Sequence, residues 1–460
     1  MESKFQKKSF FFIDAIQRLG VAYHFEEEID EYLQEFYNHY EVDSFADDLH
    51  YISLQFRILS LYEASQLRFQ GEIVLDEALD FTTTHLTSLA SKIIHALNRP
   101  LHRCTTRLES KYQISFYESK PSCHEALLKL AKFDFNFLQL LYKKELSELI
   151  RDRVVEAYMW TLGVYYEPKY SFVRVALNKV YKILGIIDDI YDAYGTIEEL
   201  ESFTKAILRW NNDCVNQIPD YIKPIYQILL STFQEFEQDL ANEGTSYVVY
   251  YLQKELQATC QAYIQEARSR HEKYIPTYDE YMKNAIVTTA YYFIFMATYL
   301  GKGTIAANKD FIESIYKDRK AINASCIIGR LLNDMGGHKF DHEREHVATA
   351  MECYMSNFGA SEEEAYKELR KRVEEAWKDL NTKLFRQYVF PKPLLTRILN
   401  MSKALYDLYD PQFGADAFTM NECMQPNIEA LLIEHVVLKK SIMKLISFLK
   451  QQAKMIYTNR

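Results

Sequence analysis

Three observations predict an all-α fold. Apolar residues recur at helical spacing along most of the chain. Alternating strand patterns closed by Asn-Gly or Asp-Gly turns are not evident. The 460 residues include only 13 Gly and 10 Pro, too few for the closely spaced turns of an all-β protein.

The helical spacing can be followed from the start. Ile13, Ile16, Leu19 and Gly20 share one face. Leu127, Leu128, Leu130, Phe133, Phe137 and Leu140 form a second stripe, expected to face a core. Phe172, Val175, Ala176, Val180, Ile183, Leu184 and Ile187 form a third, which runs directly into an acidic cluster. Residues 361–380, rich in Glu and Lys, read as an amphipathic surface helix. The polar stretch Tyr117-Glu-Ser-Lys-Pro-Ser-Cys-His124 reads as a boundary, and residues 410–425, with Pro, Gly and Asn, as a loop. Two helical domains follow from this: a smaller one over residues 1–122 and a larger one over 123–460, each a bundle or barrel.

Charge and composition exclude several functions. A formal charge of −10 leaves no basic excess for a nucleic-acid surface. Seven singly placed cysteines, an odd count without a Cys-x-x-Cys pair, fit reduced thiols. No stretch approaches 18 uncharged apolar residues, so no membrane span is expected. The apolar run near Met1 is too short for a signal peptide, which leaves a cytoplasmic protein as the expectation.

The chemistry is concentrated in three places. In Ile186-Ile-Asp188-Asp189-Ile-Tyr-Asp192, a helix would put Asp188 and Asp192 on one face. Carboxylates held together repel, and hard Mg²⁺ takes carboxylate and phosphate oxygens as ligands. A solvated acidic helix end is the bland alternative; the apolar run before the cluster argues against it. In Arg330-Leu-Leu-Asn333-Asp334-Met-Gly-Gly337-His-Lys-Phe-Asp341, Asn333, Gly337 and Asp341 stack at i, i+4 and i+8. Asn and Asp supply oxygen; Gly337 leaves room for a water. Arg151-Asp152-Arg153 offers two guanidinium forks for phosphate, where a surface charge run is the bland reading. A fourth motif, His342-Glu343-Arg-Glu-His346, has the spacing of a zinc peptidase helix. It is charged on most sides, and a charged turn is the preferred reading.

In this order the three elements resemble plant terpene synthases of the sesquiterpene-forming type. Similar stretches include Ile16-Gln-Arg-Leu-Gly-Val-Ala-Tyr-His-Phe25, Asp76-Glu-Ala-Leu-Asp-Phe-Thr-Thr-Thr-His85, Tyr194-Gly-Thr-Ile-Glu-Glu-Leu200 and His346-Val-Ala-Thr-Ala-Met-Glu-Cys-Tyr354. The resemblance implies a C-terminal class I terpenoid-synthase α-bundle and a smaller N-terminal α-barrel-like domain. It implies that Asp188, Asp189 and Asp192 bind metal in the aspartate-rich motif, and that Asn333, Gly337 and Asp341 bind it in the second motif. Arg151, Arg153 and Arg330 then hold the diphosphate, beside Asp188, Asp192 and Asn333. Trp160 lines the cyclisation pocket, and Asp416 belongs to a capping loop, Asp416-Ala-Phe418-Thr. The implied cofactor is Mg²⁺, with Mn²⁺ as the alternative. The implied substrate is a prenyl diphosphate, farnesyl diphosphate before geranyl, and the implied state a monomer.

Several departures from the family pattern keep a non-catalytic helical protein as the second hypothesis. The family's Arg-Arg or Arg-Pro segment has no counterpart before Met1. Helical turns are missing between Leu59 and Ser60, and an Arg-Trp-Trp segment is missing between Ile150 and Arg151. Asp341 replaces the usual glutamate, which pulls the third ligand back by one methylene.

Overall fold

The computed structural model describes residues 12–39, 61–86, 99–121, 123–147, 154–301, 308–341, 348–386, 392–409 and 424–437. Among these residues there are helices and turns but no strand. The helices follow as α1 (Glu26–His39), α2 (Ile73–Leu86), α3 (Thr106–Glu118), α4 (Glu125–Ser147), α5 (Val154–Val164) and α6 (Ser171–Asp189). Then come α7 (Ile197–Arg209), α8 (Lys223–Ala241), α9 (Tyr247–His271), α10 (Tyr278–Thr288), α11 (Tyr291–Ala297) and α12 (Lys309–Lys317). The rest are α13 (Lys320–Asp341), α14 (Ala350–Phe358), α15 (Glu362–Arg386), α16 (Lys392–Tyr409) and the short α17 (Met424–Ile428).

Two apolar cores hold these helices. The larger is built from α5 to α16, and its central contacts run from α13 to α15 and α16, and from α9 to α7, α10 and α11. On α15, Ala365, Leu369, Val373, Ala376, Trp377 and Leu380 form the buried stripe, while Glu362, Glu363, Glu364, Lys367, Lys371 and Glu375 face water as the pattern predicts. The smaller core joins Ile16, Leu19 and Val21 to α4, to Tyr158 and Leu162 of α5, and to Leu431 and Leu432.

Helix α4 corrects one expected stripe. Leu127 and Leu128 are buried, but Phe137 and Leu140 are exposed at 38% and 42%. The buried face instead continues through Ala131, Phe135, Leu138 and Tyr142. That face is interrupted by Lys132, Asp134, Gln139 and Glu145, which hid it in the hydrophobic pattern. Each has a partner distant in sequence: Lys132 pairs with Glu118, Asp134 with Arg107 and Glu145 with Arg174, and Gln139 donates from Nε2 to the Leu431 carbonyl.

The Arg174–Glu145 pair positions the helix that carries the aspartates. Arg174 lies in the first turn of α6, fully buried, and its Nε and Nη2 donate to the two Glu145 oxygens at 2.9 and 2.7 Å. Its Nη1 donates to the Glu167 carbonyl at 2.6 Å. A bidentate pair of this kind fixes orientation as well as distance.

Candidate active site

The aspartate helix changes pitch at its end. Residues 171–189 are α-helical, and Ile190–Tyr194 form a π-turn closed by the Gly195 N–H donating to the Ile190 carbonyl at 2.9 Å. The straight helix expected across Asp188 and Asp192 is therefore widened between them, a local change common at functional sites. Gly195 is required here by close approach: a Cβ would lie 2.4 Å from Leu200 Cδ2 and 3.1 Å from the Ile190 carbonyl oxygen. Thr196 then starts α7 with a capping box, its backbone N–H donating to Glu199 Oε2 at 3.0 Å.

One face of α9 meets this turn. Tyr263, Glu266 and Arg270 stand at i, i+3 and i+7 and so point the same way. The Tyr263 hydroxyl bonds the Asp188 carboxylate. Glu266 lies close enough to Asp188 and Asp192 for the carboxylates to repel. Arg270 donates from Nη2 to the Tyr191 carbonyl at 2.8 Å and sits 3.8 Å from Asp192 Oδ1. Burial, and then the Asp192 charge, push the Asp188 carboxyl up to about 7. Burial likewise pushes Glu266 up to about 7, against the pull of Arg330 and a hydrogen bond from Thr288.

Helix α13 faces these groups from the other side. It is continuous over residues 320–341, so Asn333, Gly337 and Asp341 do share one helical row, with Asn333 and Gly337 half-buried. Arg330 donates from Nη2 to Thr288 Oγ1 at 3.1 Å and from Nε to the Ala285 carbonyl at 3.3 Å. Thr288 in turn donates to Glu266 Oε1 at 2.6 Å. Glu266 thus lies between the two acidic elements, sensing Asp192 from one and Asp334 and Arg330 from the other. Asp334, the neighbour of Asn333, turns into the protein. It accepts from the Tyr281 hydroxyl at 2.6 Å and from the Ala350 N–H at 2.8 Å, which ties α13 to α10 and α14.

Aromatic rings adjoin this polar end. Trp160 is buried, with ring centroids 5.9 Å from Tyr181 and 5.6 Å from Tyr409. Tyr291 reaches across α13 because residue 329 is glycine: a Cβ there would lie 2.3 Å from the Tyr291 ring. The chain turns between α10 and α11. Ala290 takes a left-handed conformation, φ 56°, and starts α11 in a new direction.

Arg151, Arg153, Asp416 and the His342-Glu343-x-x-His346 motif lie outside the described residues, as does the Asp341 side chain. Sequence reading missed Glu266, Arg270 and Asp334. The first two lie in Gln-Glu-Ala-Arg-Ser-Arg, which looks like any solvated helix, and only the fold brings them to Asp192. Among the described residues no three His, Cys, Asp or Glu side chains meet in the geometry of an ion site. The donor chemistry nonetheless fits a hard divalent cation: oxygen ligands only, with two carboxyls driven toward neutrality by burial and mutual repulsion. Such a cation commonly takes one or two carboxylates and completes its shell with phosphate and water oxygens.

Comparison with known proteins agrees with this geometry. Residues 139–379 match the model of the terpene synthase family metal-binding domain, and residues 1–60 match the terpene synthase N-terminal domain. A probable sesquiterpene synthase of Santalum murrayanum is 42% identical, with 92% of this chain and 86% of that protein covered. The alignment runs over 487 positions, more than the 460 residues here, so that relative carries residues without counterparts in this chain. Isoprene synthase from grey poplar, solved with three Mg²⁺ ions and dimethylallyl-S-thiolodiphosphate, superposes with a TM-score of 0.83 at 31% identity, covering 92% of each chain. Limonene synthase with 2-fluorolinalyl diphosphate superposes at 0.86 and 26% identity, covering 94% of this chain and 91% of that one. Among the described residues no helix is long and apolar enough to cross a membrane. The chain belongs to the terpene synthase family, metal-using lyases that act on prenyl diphosphates.

Proposed function

We propose that this chain is a sesquiterpene synthase, ionising and cyclising farnesyl diphosphate with release of diphosphate. The observation that carries the reading is Glu266, placed between the Asp188–Asp192 turn and Arg330 of α13. The sesquiterpene synthase name of the Santalum murrayanum relative supports the substrate length. Residues 1–122 form an accessory helical domain in this reading, and residues 123–460 the catalytic one.

Asp188, Asp189, Asp192 and Glu266 on one side, with Asn333 and Asp341 on the other, would hold Mg²⁺, which supplies positive charge for the departing diphosphate. Gly337 leaves room for a water in that second set. Arg330, fixed by Ala285 and Thr288, presents a cation to the diphosphate oxygens together with Arg151 and Arg153. The pocket wall must then hold an allylic cation away from water. Trp160, Tyr181 and Tyr409 offer ring faces there, each worth about 0.5–2 kcal/mol to a desolvated cation. By the family resemblance, Asp416 would belong to a capping loop.

Product analysis by gas chromatography, with farnesyl and geranyl diphosphate offered separately, tests the substrate. A hydrocarbon of the farnesyl series formed only with Mg²⁺ present is the expected result. Turnover of geranyl diphosphate alone would make the chain a monoterpene synthase. A folded protein that turns over neither is non-catalytic.

A further inference from the structure

Arg270 is a cation placed against an acidic helix end, and no sequence motif marks it. The π-turn explains what it does there. Closing Gly195 N–H onto the Ile190 carbonyl leaves the next carbonyl, Tyr191, to be satisfied by Thr196 N–H, but that donor is committed to Glu199. Arg270 Nη2 supplies the bond instead, at 2.8 Å. Its Nη1 stands 3.8 Å from Asp192 Oδ1. The nearby Arg268 is engaged elsewhere, donating to Glu201 Oε1 at 2.7 Å.

The electrostatics of the turn call for such a group. Asp188, Asp189 and Asp192 sit at the C-terminal, negative end of a helix, where carboxylates are unfavourable and cations favourable. Glu266 adds a fourth acidic group. Arg270 leaves α9 on the same face, one turn beyond Glu266, so one helix brings both a carboxylate and its counter-charge to the turn.

We propose that Arg270 is a built-in counter-charge for the aspartate turn. It holds the turn in shape before metal arrives, and it weakens the turn's grip on a divalent cation until diphosphate is bound as well. This rests on reading Asp192 as a metal ligand. A guanidinium beside Asp192 repels a dication on the same carboxylate, and the pair is only partly screened by water. That repulsion corresponds to roughly a three- to tenfold loss of affinity. Arg270 is thus a positioning residue that sets the order of loading, favouring metal and diphosphate together over metal alone.

The test is Mn²⁺ binding to the substrate-free protein, followed by calorimetry, with melting temperature in EDTA measured in parallel. R270Q and R270M, two neutral replacements of different polarity, are expected to bind Mn²⁺ about three- to tenfold more tightly than the parent. Both should melt earlier in EDTA, because the Tyr191 carbonyl loses its donor. R270K keeps the charge and should bind Mn²⁺ like the parent. A merely structural role would lower stability without tightening metal binding, so neutral variants that bind Mn²⁺ equally or more weakly overturn the proposal. D192N separates the two layers. If D192N weakens Mn²⁺ binding while R270Q leaves it unchanged, only the role of Arg270 fails; if D192N leaves binding intact, the metal reading of Asp192 fails with it.

Discussion

Asp188 carries opposing demands in one side chain. Its carboxyl is held near 7 by burial and by Asp192, so in the metal-free fold its ionised form is disfavoured. The folded value lies above the unfolded one, so this group's contribution to stability falls as pH rises from about 4 to about 7. D188N removes that penalty, and its melting temperature in EDTA at pH 8 is expected to rise. The same substitution is expected to cut product formation at least about a hundredfold, the scale of losing a group that stabilises a leaving charge. Its neighbour in kind, Asp334, behaves differently. D334N weakens the acceptor of Tyr281 and of the Ala350 N–H, and should cost about 1–3 kcal/mol in urea unfolding, with turnover falling as α13 loosens. At this scale the helical rows that carry Asp188 and Asn333 were legible, because their spacing is local. Glu266 and Arg270 were not: they come near Asp192 only once the π-turn meets α9.

Among the elements, the turn after α6 is where sequence and structure part most usefully. Spacing alone indicated one α-helix carrying Asp188 and Asp192; the α-helix ends at Asp189, and Asp192 stands in the π-turn that follows. The π-turn ends on Gly195, and Leu200 of the next helix occupies the space a side chain there would need. G195A is therefore expected to destabilise by about 1–3 kcal/mol, the usual cost of overpacking, and to raise the Mg²⁺ concentration needed for half-maximal turnover by shifting Asp192. Unfolding curves and a Mg²⁺ titration of product formation measure the two effects. Helix α4 shows the opposite failure. Its apolar pattern was real but mis-phased, because buried Asp134 and Glu145 look like surface residues until Arg107 and Arg174 are placed beside them. Sequence patterning assumes that charge means water, and paired buried charge breaks that assumption.

Across the whole molecule, the N-terminal helices dock on the larger bundle through polar contacts on α15. Arg103 grips Glu374 with two bonds of 2.6 Å, and Arg68 pairs with the same carboxylate. Asn381 donates to the Gln66 and Arg68 carbonyls, each at 3.1 Å. The Arg103 and Arg68 charges hold Glu374 down to about 2, although burial opposes them. A depressed carboxyl value stabilises the fold above the unfolded value near 4.5 and stops doing so as pH falls toward 2. Glu374 keeps 36% of its side-chain exposure, so the contribution is smaller than for a fully buried pair. E374Q is expected to lower the melting temperature at pH 7, and the gap to the parent should close between about pH 4.5 and 2; a gap independent of pH would contradict it. That the described residues are helical was legible from composition and periodicity, whereas this docking surface was not, because its ion pairs join residues about 300 positions apart. The central claim is that the acidic turn and α13 together ionise a prenyl diphosphate, and one measurement reaches it most directly: diphosphate released from farnesyl diphosphate by the intact chain, followed with Mg²⁺ and then with EDTA. Release that requires Mg²⁺ and is lost in D188N is the expected outcome. Release unaffected by EDTA or by D188N, or none at all from a folded chain, would contradict it.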